Sequence, residues 1–94
     1  MQVRWLRRTL KNLDDEGAYI AHDDVAAAAR MVERIASAVD QRANHLALGR
    51  PGRVPGTREL VISGTPYIVP YRIRGEMVEV LRVLHGARKW PAKF

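Results

Sequence analysis

Two stretches in the first half of the chain repeat apolar residues at intervals of three and four, the spacing of one face of an α-helix. The first stretch predicts a helix over residues 6–21, preceded by a short strand at 2–5. His22-Asp23-Asp24 interrupts the pattern, and an aspartate here can accept hydrogen bonds from the free amides of a following helix. The second stretch predicts that helix over residues 25–45.

The second helix has an alanine-rich apolar face. Because alanines let a neighbouring helix approach closely, we expect the two helices to form an antiparallel hairpin that serves as scaffold. We also expect Ala36 to lie in the seam and to leave no room for a larger side chain. The predicted face consists of Ala28, Ala29, Val32, Ile35, Ala36, Val39, Ala43 and Leu46.

The second half of the chain has the pattern of strands. Residues 49–56 hold three glycines and two prolines, which predict an irregular loop. Strands are predicted at 58–63, 67–74 and 77–85, and Gly75 can supply the positive φ of a hairpin turn between the last two. The sequence therefore predicts one α+β domain over residues 1–94, an N-terminal two-helix hairpin packed on a small antiparallel β-sheet.

Alternation along the last two strands assigns side chains to two faces. The face expected to pack on the helices carries Tyr67, Val69, Tyr71 and Ile73 with Val78, Val80, Arg82 and Leu84. The other face mixes apolar and charged residues, which suits a surface covered by a partner or by the chain's own tail. It carries Ile68, Pro70, Arg72 and Arg74 with Met77, Glu79, Leu81, Val83 and His85. Pro70 has no N–H to donate, so we expect its amide side at an edge or a bulge.

The positive charge of the chain is confined to its second half. The formal net charge is +6. Residues 1–48 hold seven basic and seven acidic side chains, whereas residues 49–94 hold nine basic and three acidic ones. This asymmetry favours an anionic partner over a surface that only aids solubility. There is no cysteine, and no segment approaches the roughly 20 apolar residues of a membrane span, so we expect a cytoplasmic protein.

Few catalytic chemistries fit the sequence. The three histidines lack ligand-like spacing and no cysteine accompanies them, so no metal site is expected, and no pattern calls for a cofactor. Neither Ser37 nor Ser63 lies in a nucleophile motif, and the glycine-rich loop lacks the ending of a phosphate loop. One basic set remains around the last strand: Arg72, Arg82, His85, Arg88, Lys89 and Trp90.

This basic set has a catalytic and a structural interpretation. His85 could move protons in RNA cleavage while Arg72 and Arg82 hold charge on the phosphate. Equally, Arg72 could pair with Glu79, Arg82 could pair with an acidic residue of the first helix, and Trp90 could fold back on the core. The residues alone leave both interpretations open.

The chain resembles the RelE/ParE superfamily of toxins from bacterial type II toxin–antitoxin pairs. The similarity is carried by AYIAHDD with AAAARMVERIASAV, by LALGRPGRVPGTRELVI and PYIVPYRI, and by VEVLRVLHGARKWP, in order and spacing. The resemblance implies a helical hairpin on a small antiparallel sheet. It also implies a partner, an antitoxin whose tail wraps the toxin and neutralises it. We expect that tail, with apolar and acidic residues, to bind an exposed patch of Ile68, Arg72, Arg74, Leu81 and Val83.

The superfamily implies two possible activities. RelE-like members cut messenger RNA on the ribosome, with a strand arginine in the position of Arg72 and basic residues just after the last strand. ParE-like members poison DNA gyrase, which is a binding function, and LRVLHGARKW resembles their C-terminal pattern. Because Gly86 and Ala87 stand where an endonuclease shows basic residues, we expect a ParE-like gyrase inhibitor. Its target-binding residues would be Arg88, Lys89 and Trp90 on a tail that the His85-Gly86 break leaves free. There are two alternatives. One is a RelE-type endonuclease with Arg72, Arg82 and His85 as catalytic candidates, and the other is a non-toxic interaction module.

Overall fold

The computed structural model of the chain describes residues 2–45 and 49–94, and it has the predicted α+β architecture. Two helices pack against one sheet of six strands. The elements in chain order are β1 (Gln2–Trp5), α1 (Arg7–Ala21), α2 (Val25–His45), β2 (Arg50–Pro51), β3 (Arg58–Val61), β4 (Tyr67–Arg74), β5 (Met77–Val80) and β6 (Leu84–His85). No helix in these ranges has the length and apolarity that a bilayer crossing requires.

The helical hairpin forms as the sequence predicts. The side chain of Asp24 caps α2, since its Oδ1 accepts a 3.0 Å hydrogen bond from the amide of Ala27. The predicted alanine seam is partly wrong, because Ala29 and Ala36 are exposed. Each follows a buried residue by one position, about 100° around the helix, and so turns away from the core. Leu46 lies outside the described residues. The buried face of α2 consists of Ala28, Met31, Ile35, Val39 and Ala43.

The sheet is mixed rather than wholly antiparallel. Its strand order is β1-β5-β4-β3-β2, and β6 pairs with β4. β1 runs parallel to β5, with Val3 opposite Val78 and Trp5 opposite Val80. The other pairings are antiparallel. Gly75 has φ +57° in the two-residue turn between β4 and β5, which confirms the predicted hairpin.

The loop over residues 49–56 is not wholly irregular. Arg50 and Pro51 form β2, which pairs with Glu59 and Arg58 of β3. Pro51 is tolerated because β2 is an edge strand, where an N–H is not needed on the outer side. The prediction of no regular structure in this stretch is therefore wrong at these two positions.

The predicted last strand is broken at residues 81–83. Pro70 accepts a 2.9 Å hydrogen bond from the amide of Leu81 but has no N–H with which to return the second bond of that pair. On the opposite side, the Thr9 hydroxyl donates a 2.7 Å hydrogen bond to the carbonyl of Val80. β5 therefore ends at Val80, and Pro70 lies at a bulge inside the sheet, one of its two predicted settings.

Beyond the break, the register shifts by one residue. Tyr71 lies opposite Val80, yet Ile68 lies opposite Leu84, so one extra residue has entered the last strand. The predicted faces are right up to Arg82, which contacts Asn12 of α1, and wrong from Val83 onwards. Val83 joins the core beside the helices, and His85 lies opposite Tyr67.

The core lies between the helices and the inner face of the sheet. As predicted, the inner residues of β4 and β5 pack on the hairpin, apart from Ile73, which is exposed at the end of β4. The buried cluster consists of Leu13, Met31, Ile35, Val39, Ala43, Leu60, Ile62, Tyr67, Val69, Tyr71, Val78, Val80 and Val83. This arrangement leaves the outer face of the sheet and the C-terminal segment, residues 86–94, for other roles.

Candidate functional site

Glu79 is a buried carboxylate on the outer face of the sheet, surrounded by three arginines. Its side chain is only 6% exposed. Arg72 Nε donates to Glu79 Oε1 at 2.7 Å, Arg74 Nε lies 3.2 Å from the same oxygen, and Arg4 lies 3.8 Å from Oε2. The hydrogen bond from Arg72 holds the pKa of Glu79 below its ordinary value against the opposing effect of burial, and the three positive charges add to it. Glu79 is therefore a fixed negative centre, and the pairing of Arg72 with Glu79 that the sequence allowed is confirmed.

Glu59 is a second buried carboxylate on the same face. Arg50 lies 3.2 Å from Oε1, while Arg53 approaches Oε2 with its backbone amide at 2.8 Å and with Nε at 3.1 Å. Burial raises the pKa of Glu59, but the hydrogen bonds from Arg53 and Arg50 together bring the pKa below its ordinary value. Both glutamates are thus ionised anchors that orient guanidinium groups.

The five arginines around these glutamates form what we call the arginine face: Arg4, Arg50, Arg53, Arg72 and Arg74. Their side chains are between 39% and 65% exposed, although the carboxylates beneath them are buried. Sequence reasoning selected only Arg72 and Arg74. Arg4 was missed because it reaches Glu79 through the parallel pairing of β1 with β5. Arg50 and Arg53 were missed because the glycines and prolines of residues 49–56 predict an irregular loop.

The C-terminal segment is attached to α1 through Glu16. Arg88 donates a 2.7 Å hydrogen bond to Glu16 Oε1, and the hydroxyl of Tyr67 donates a 3.0 Å bond to Oε2. Burial, followed by the hydrogen bond to Glu16, raises the pKa of Tyr67 to about 12, so the hydroxyl keeps its proton in the folded chain. One carboxylate therefore joins α1, β4 and the segment after β6.

Trp90 attaches the same segment at a second place. Its Nε1 donates a 3.2 Å hydrogen bond to the carbonyl of His85. The guanidinium carbon of Arg53 lies 3.6 Å from the centroid of the Trp90 ring, a cation–π contact. The structure therefore contradicts the expectation of a free tail, because the segment folds back on the body of the protein. It also places Trp90 next to the arginine face.

Arg82 and His85 lie in a cleft between α1 and the C-terminal segment. Arg82 Nε donates a 2.8 Å hydrogen bond to Asn12 Oδ1. Its partner on the first helix is therefore an amide and not the acidic residue that the structural interpretation of the sequence proposed. His85 packs edge-on against Tyr67, and its Nδ1 accepts a 3.2 Å hydrogen bond from the amide of Ala87. We call this the C-terminal cleft; it is lined by Asn12, Glu16, Arg82, His85, Arg88, Lys89 and Trp90, among others.

The structure brings some of the predicted site residues together and separates others. Two catalytic candidates, Arg82 and His85, share the C-terminal cleft with the predicted target-binding residues Arg88, Lys89 and Trp90. The third candidate, Arg72, is instead bound to Glu79 on the arginine face. In the described part of the chain, no three histidine or carboxylate side chains lie close enough to hold a metal ion.

The predicted apolar patch for an antitoxin is not exposed. Ile68 is 9% exposed, and Leu81 and Val83 are each 2% exposed. Val83 is buried because the register shift turns it into the core. Arg72 is half-buried and Arg74 is exposed. The expectation of exposed apolar anchors at these three positions is therefore wrong, and only the two arginines offer accessible surface.

Comparisons with known proteins agree with this architecture. Residues 3–90 match the family model described as the ParE toxin of the type II toxin–antitoxin system parDE. The protein Y4kP of Sinorhizobium fredii is 53% identical over 90 residues, which are 96% of this chain and 93% of that protein. Toxin RelE2 of Caulobacter vibrioides is 34% identical over 87 residues, 93% of this chain and 97% of that protein. A solved structure of the chromosomal ParDE TA system from P. aeruginosa superimposes with a TM-score of 0.76 at 29% identity, covering 88% of this chain and 92% of that one.

Proposed function

Because the chain belongs to the ParE toxin family of type II toxin–antitoxin systems, we propose that it inhibits DNA gyrase by binding to it in the cytoplasm. A toxin of such a system has a cognate antitoxin as its partner. The proposal adds a molecular target to this family membership, and it assigns the contact with gyrase to the C-terminal segment.

The proposal is carried by the exposure of the basic residues in the C-terminal segment and by the contacts that hold this segment in a fixed position. Arg88 and Lys89 are exposed, and Trp90 is half-buried between His85 and Arg53. Arginine and tryptophan are enriched among the residues that contribute most to protein–protein binding. Since Glu16 and Arg53 hold the segment in place, less ordering entropy is lost on binding than for a free tail. Inhibition by binding requires no proton donor or acceptor at the contact.

An endonuclease of RelE type is the second candidate. It is favoured by the shared cleft of Arg82 and His85 and by the similarity to Toxin RelE2. Cleavage of RNA, however, calls for several convergent groups around one phosphate. Arg72 is bound to Glu79 away from the cleft, and Gly86 and Ala87 add no charge. The geometry therefore supports binding better than cleavage.

We further propose that the antitoxin contacts Arg72 and Arg74 through acidic side chains. Both arginines are accessible, and guanidinium groups suit paired carboxylates. The predicted contacts at Ile68, Leu81 and Val83 would require these buried side chains to become exposed in the complex. Arg74→Glu should weaken binding of a co-expressed antitoxin, and Leu81→Asp should chiefly destabilise the toxin itself.

The experiment compares two assays on the purified chain: DNA supercoiling by gyrase and messenger cleavage on translating ribosomes. The variants are Arg88→Ala with Trp90→Ala, a truncation ending at His85, and Arg30→Ala as a control on the exposed surface of α2. Circular dichroism confirms that each variant is folded. We expect the intact chain and Arg30→Ala to inhibit supercoiling, and the double variant and the truncation to lose at least tenfold in potency.

Three results would change the assignment. Messenger cleavage with unaffected supercoiling would replace gyrase inhibition with the endonuclease. Full inhibition by the truncation would keep gyrase as the target but move the contact away from Arg88, Lys89 and Trp90. Unchanged growth of cells that express the isolated, folded chain would favour a non-toxic interaction module.

A further inference from the structure

The arginine face takes part in the gyrase contact proposed above only through Arg53, whose guanidinium packs on the ring of Trp90. We propose that this face binds the phosphate backbone of duplex DNA. This second ligand goes beyond gyrase inhibition, because the face lies beside the target-binding residues but includes none of them. The proposal rests on the charge of this face, on the way its guanidinium groups are held, and on the burial of its apolar residues.

The face concentrates the excess charge of the chain. Four of its five arginines come from residues 49–94, the half that carries the whole net charge. Two buried glutamates offset only part of this charge, which leaves a local excess of three positive charges. Such a surface attracts a polyanion without reading its sequence.

The guanidinium groups are oriented before a ligand arrives. Arg72 and Arg74 engage Glu79 through Nε, and their terminal nitrogens meet no acceptor among residues 2–45 and 49–94. Arg53 is held by Glu59 on one side and by the ring of Trp90 on the other. Fixed guanidinium groups with outward N–H donors can bind phosphate oxygens at a low entropic cost.

The spacing of the two arginine clusters suits a duplex. Glu79 and Glu59 belong to β5 and β3, which lie on either side of β4, and their partners on β4, Arg72 and Pro70, are two residues apart. Strand and residue spacings then separate the two backbone positions by about 12 Å. The grooves of B-DNA are roughly 6 to 12 Å wide, the same scale as this backbone separation, and we infer that the two clusters reach phosphates of both strands.

The composition of the face favours nucleic acid as a ligand of the free toxin, and the acidic side chains of the antitoxin proposed above would compete with it for Arg72 and Arg74. Protein–protein interfaces usually have an apolar core with aromatic or aliphatic anchors. Between the arginine clusters, Pro70 and Leu81 are buried, and Ile68 is nearly so. Apart from Val61 and Trp90 at its margin, the accessible groups are guanidiniums, and interfaces with DNA are the more polar and the more positively charged class.

The test is the binding of a fluorescently labelled 20-base-pair DNA duplex to the full chain, measured by anisotropy over a range of salt concentrations without gyrase. The variant Arg50→Ala with Arg74→Ala removes one exposed arginine from each cluster and leaves Arg53 and Arg72 to hold the buried glutamates. The control, Arg8→Ala with Arg30→Ala, removes the same charge from exposed helix positions. Thermal unfolding verifies that both are folded.

We expect the face variant to bind at least tenfold more weakly at low salt. The slope of log affinity against log salt should fall in magnitude by about 2, one for each phosphate that the variant no longer neutralises, and the control should keep the slope of the unmodified chain.

Equal losses of affinity in the face variant and the control would overturn the proposal, since net charge alone would then explain binding. So would tight binding of an acidic peptide by a chain that does not bind the duplex, because the partner would be a protein. Because gyrase is absent from the assay, neither result bears on the supercoiling experiment.

Discussion

Arg88, in the C-terminal segment, donates a 2.7 Å hydrogen bond to Glu16, which lies 72 residues earlier on α1. The other oxygen of this carboxylate accepts a hydrogen bond from the hydroxyl of Tyr67. Glu16 of the helical hairpin is thus one of two attachments, together with Trp90, of the segment that we assign to the target. If gyrase binds this segment as proposed, the hairpin would act as scaffold, positioning the contact without supplying it.

Glu16→Gln should loosen the C-terminal segment. The neutral amide loses the charge-assisted bond to Arg88, at a cost of about 1 kcal/mol in the free energy of unfolding. Hydrogen exchange of the amides in residues 86–94 should become faster, while that of β4 and β5 stays nearly unchanged. Glu33→Gln, at an exposed position of α2, is the matched control. Unaltered exchange in residues 86–94 of the Glu16 variant would show that Trp90 alone holds the segment.

Tyr67 should make the protein sensitive to alkaline pH. Its pKa is raised from 10.0 to about 12 in the folded chain. A group with a raised pKa stabilises the fold fully below its unfolded pKa, and that contribution is lost as the pH rises from 10 towards 12. The free energy of unfolding, measured with urea, should therefore fall over this range.

Tyr67→Phe removes the titrating group, so the decline should be shallower in this variant. Tyr19→Phe is the control, because Tyr19 is 73% exposed. Parallel pH curves for the unmodified chain and the Tyr67 variant would refute the assignment of the decline to Tyr67.

The buried glutamates of the arginine face should make the fold sensitive to acid. The pKa values of Glu79 and Glu59 are lowered, so their stabilising contribution is present above the ordinary value of 4.5 and is lost as the pH falls through the lower, folded value. Glu79→Gln should destabilise the chain at neutral pH, because three arginines lose their carboxylate. The free energy of unfolding of this variant should also fall less between neutral and acid pH than that of the unmodified chain. Glu76→Gln, in the exposed turn, should follow the unmodified chain in urea unfolding at both pH values.

Much of the fold could be predicted because it depends on local pattern. Helix boundaries follow from the 3.6-residue period and from the Asp24 cap, and the β4–β5 hairpin follows from Gly75. The inner faces of both strands follow from alternation. The alanine face was predicted less well, because alanine is small enough to be exposed without cost. The pattern therefore could not distinguish Ala28, which is buried, from Ala36, which is exposed.

The remaining features depend on contacts between distant parts of the chain. The parallel pairing of β1 with β5 brings Arg4 to Glu79 across 75 positions of sequence. The bulge arises because Pro70 lies opposite Leu81, and the side-chain alternation of the last strand changes from there on. The arginine face is assembled from the parallel pairing, from the β4–β5 hairpin, and from β2 with the residues just after it. No local pattern contains it, although the concentration of charge in residues 49–94 pointed to an anionic partner.

Gly17→Ala should stabilise the protein. Gly17 lies in the interior of α1, where alanine is favoured over glycine by about 1 kcal/mol. An added Cβ would lie 3.5 Å from Cγ2 of Val32 on α2, an ordinary van der Waals contact, so the gain in helix propensity is not offset by a clash. We expect the free energy of unfolding to rise by about 0.5–1 kcal/mol, measured by urea titration at neutral pH. Gly64→Ala provides the opposite case, since Gly64 has φ +77° and an added Cβ would lie 2.7 Å from a guanidinium nitrogen of Arg34. That variant should be destabilised. A loss of stability in Gly17→Ala would mean that the two helices are packed more tightly at this crossing than the 3.5 Å separation implies.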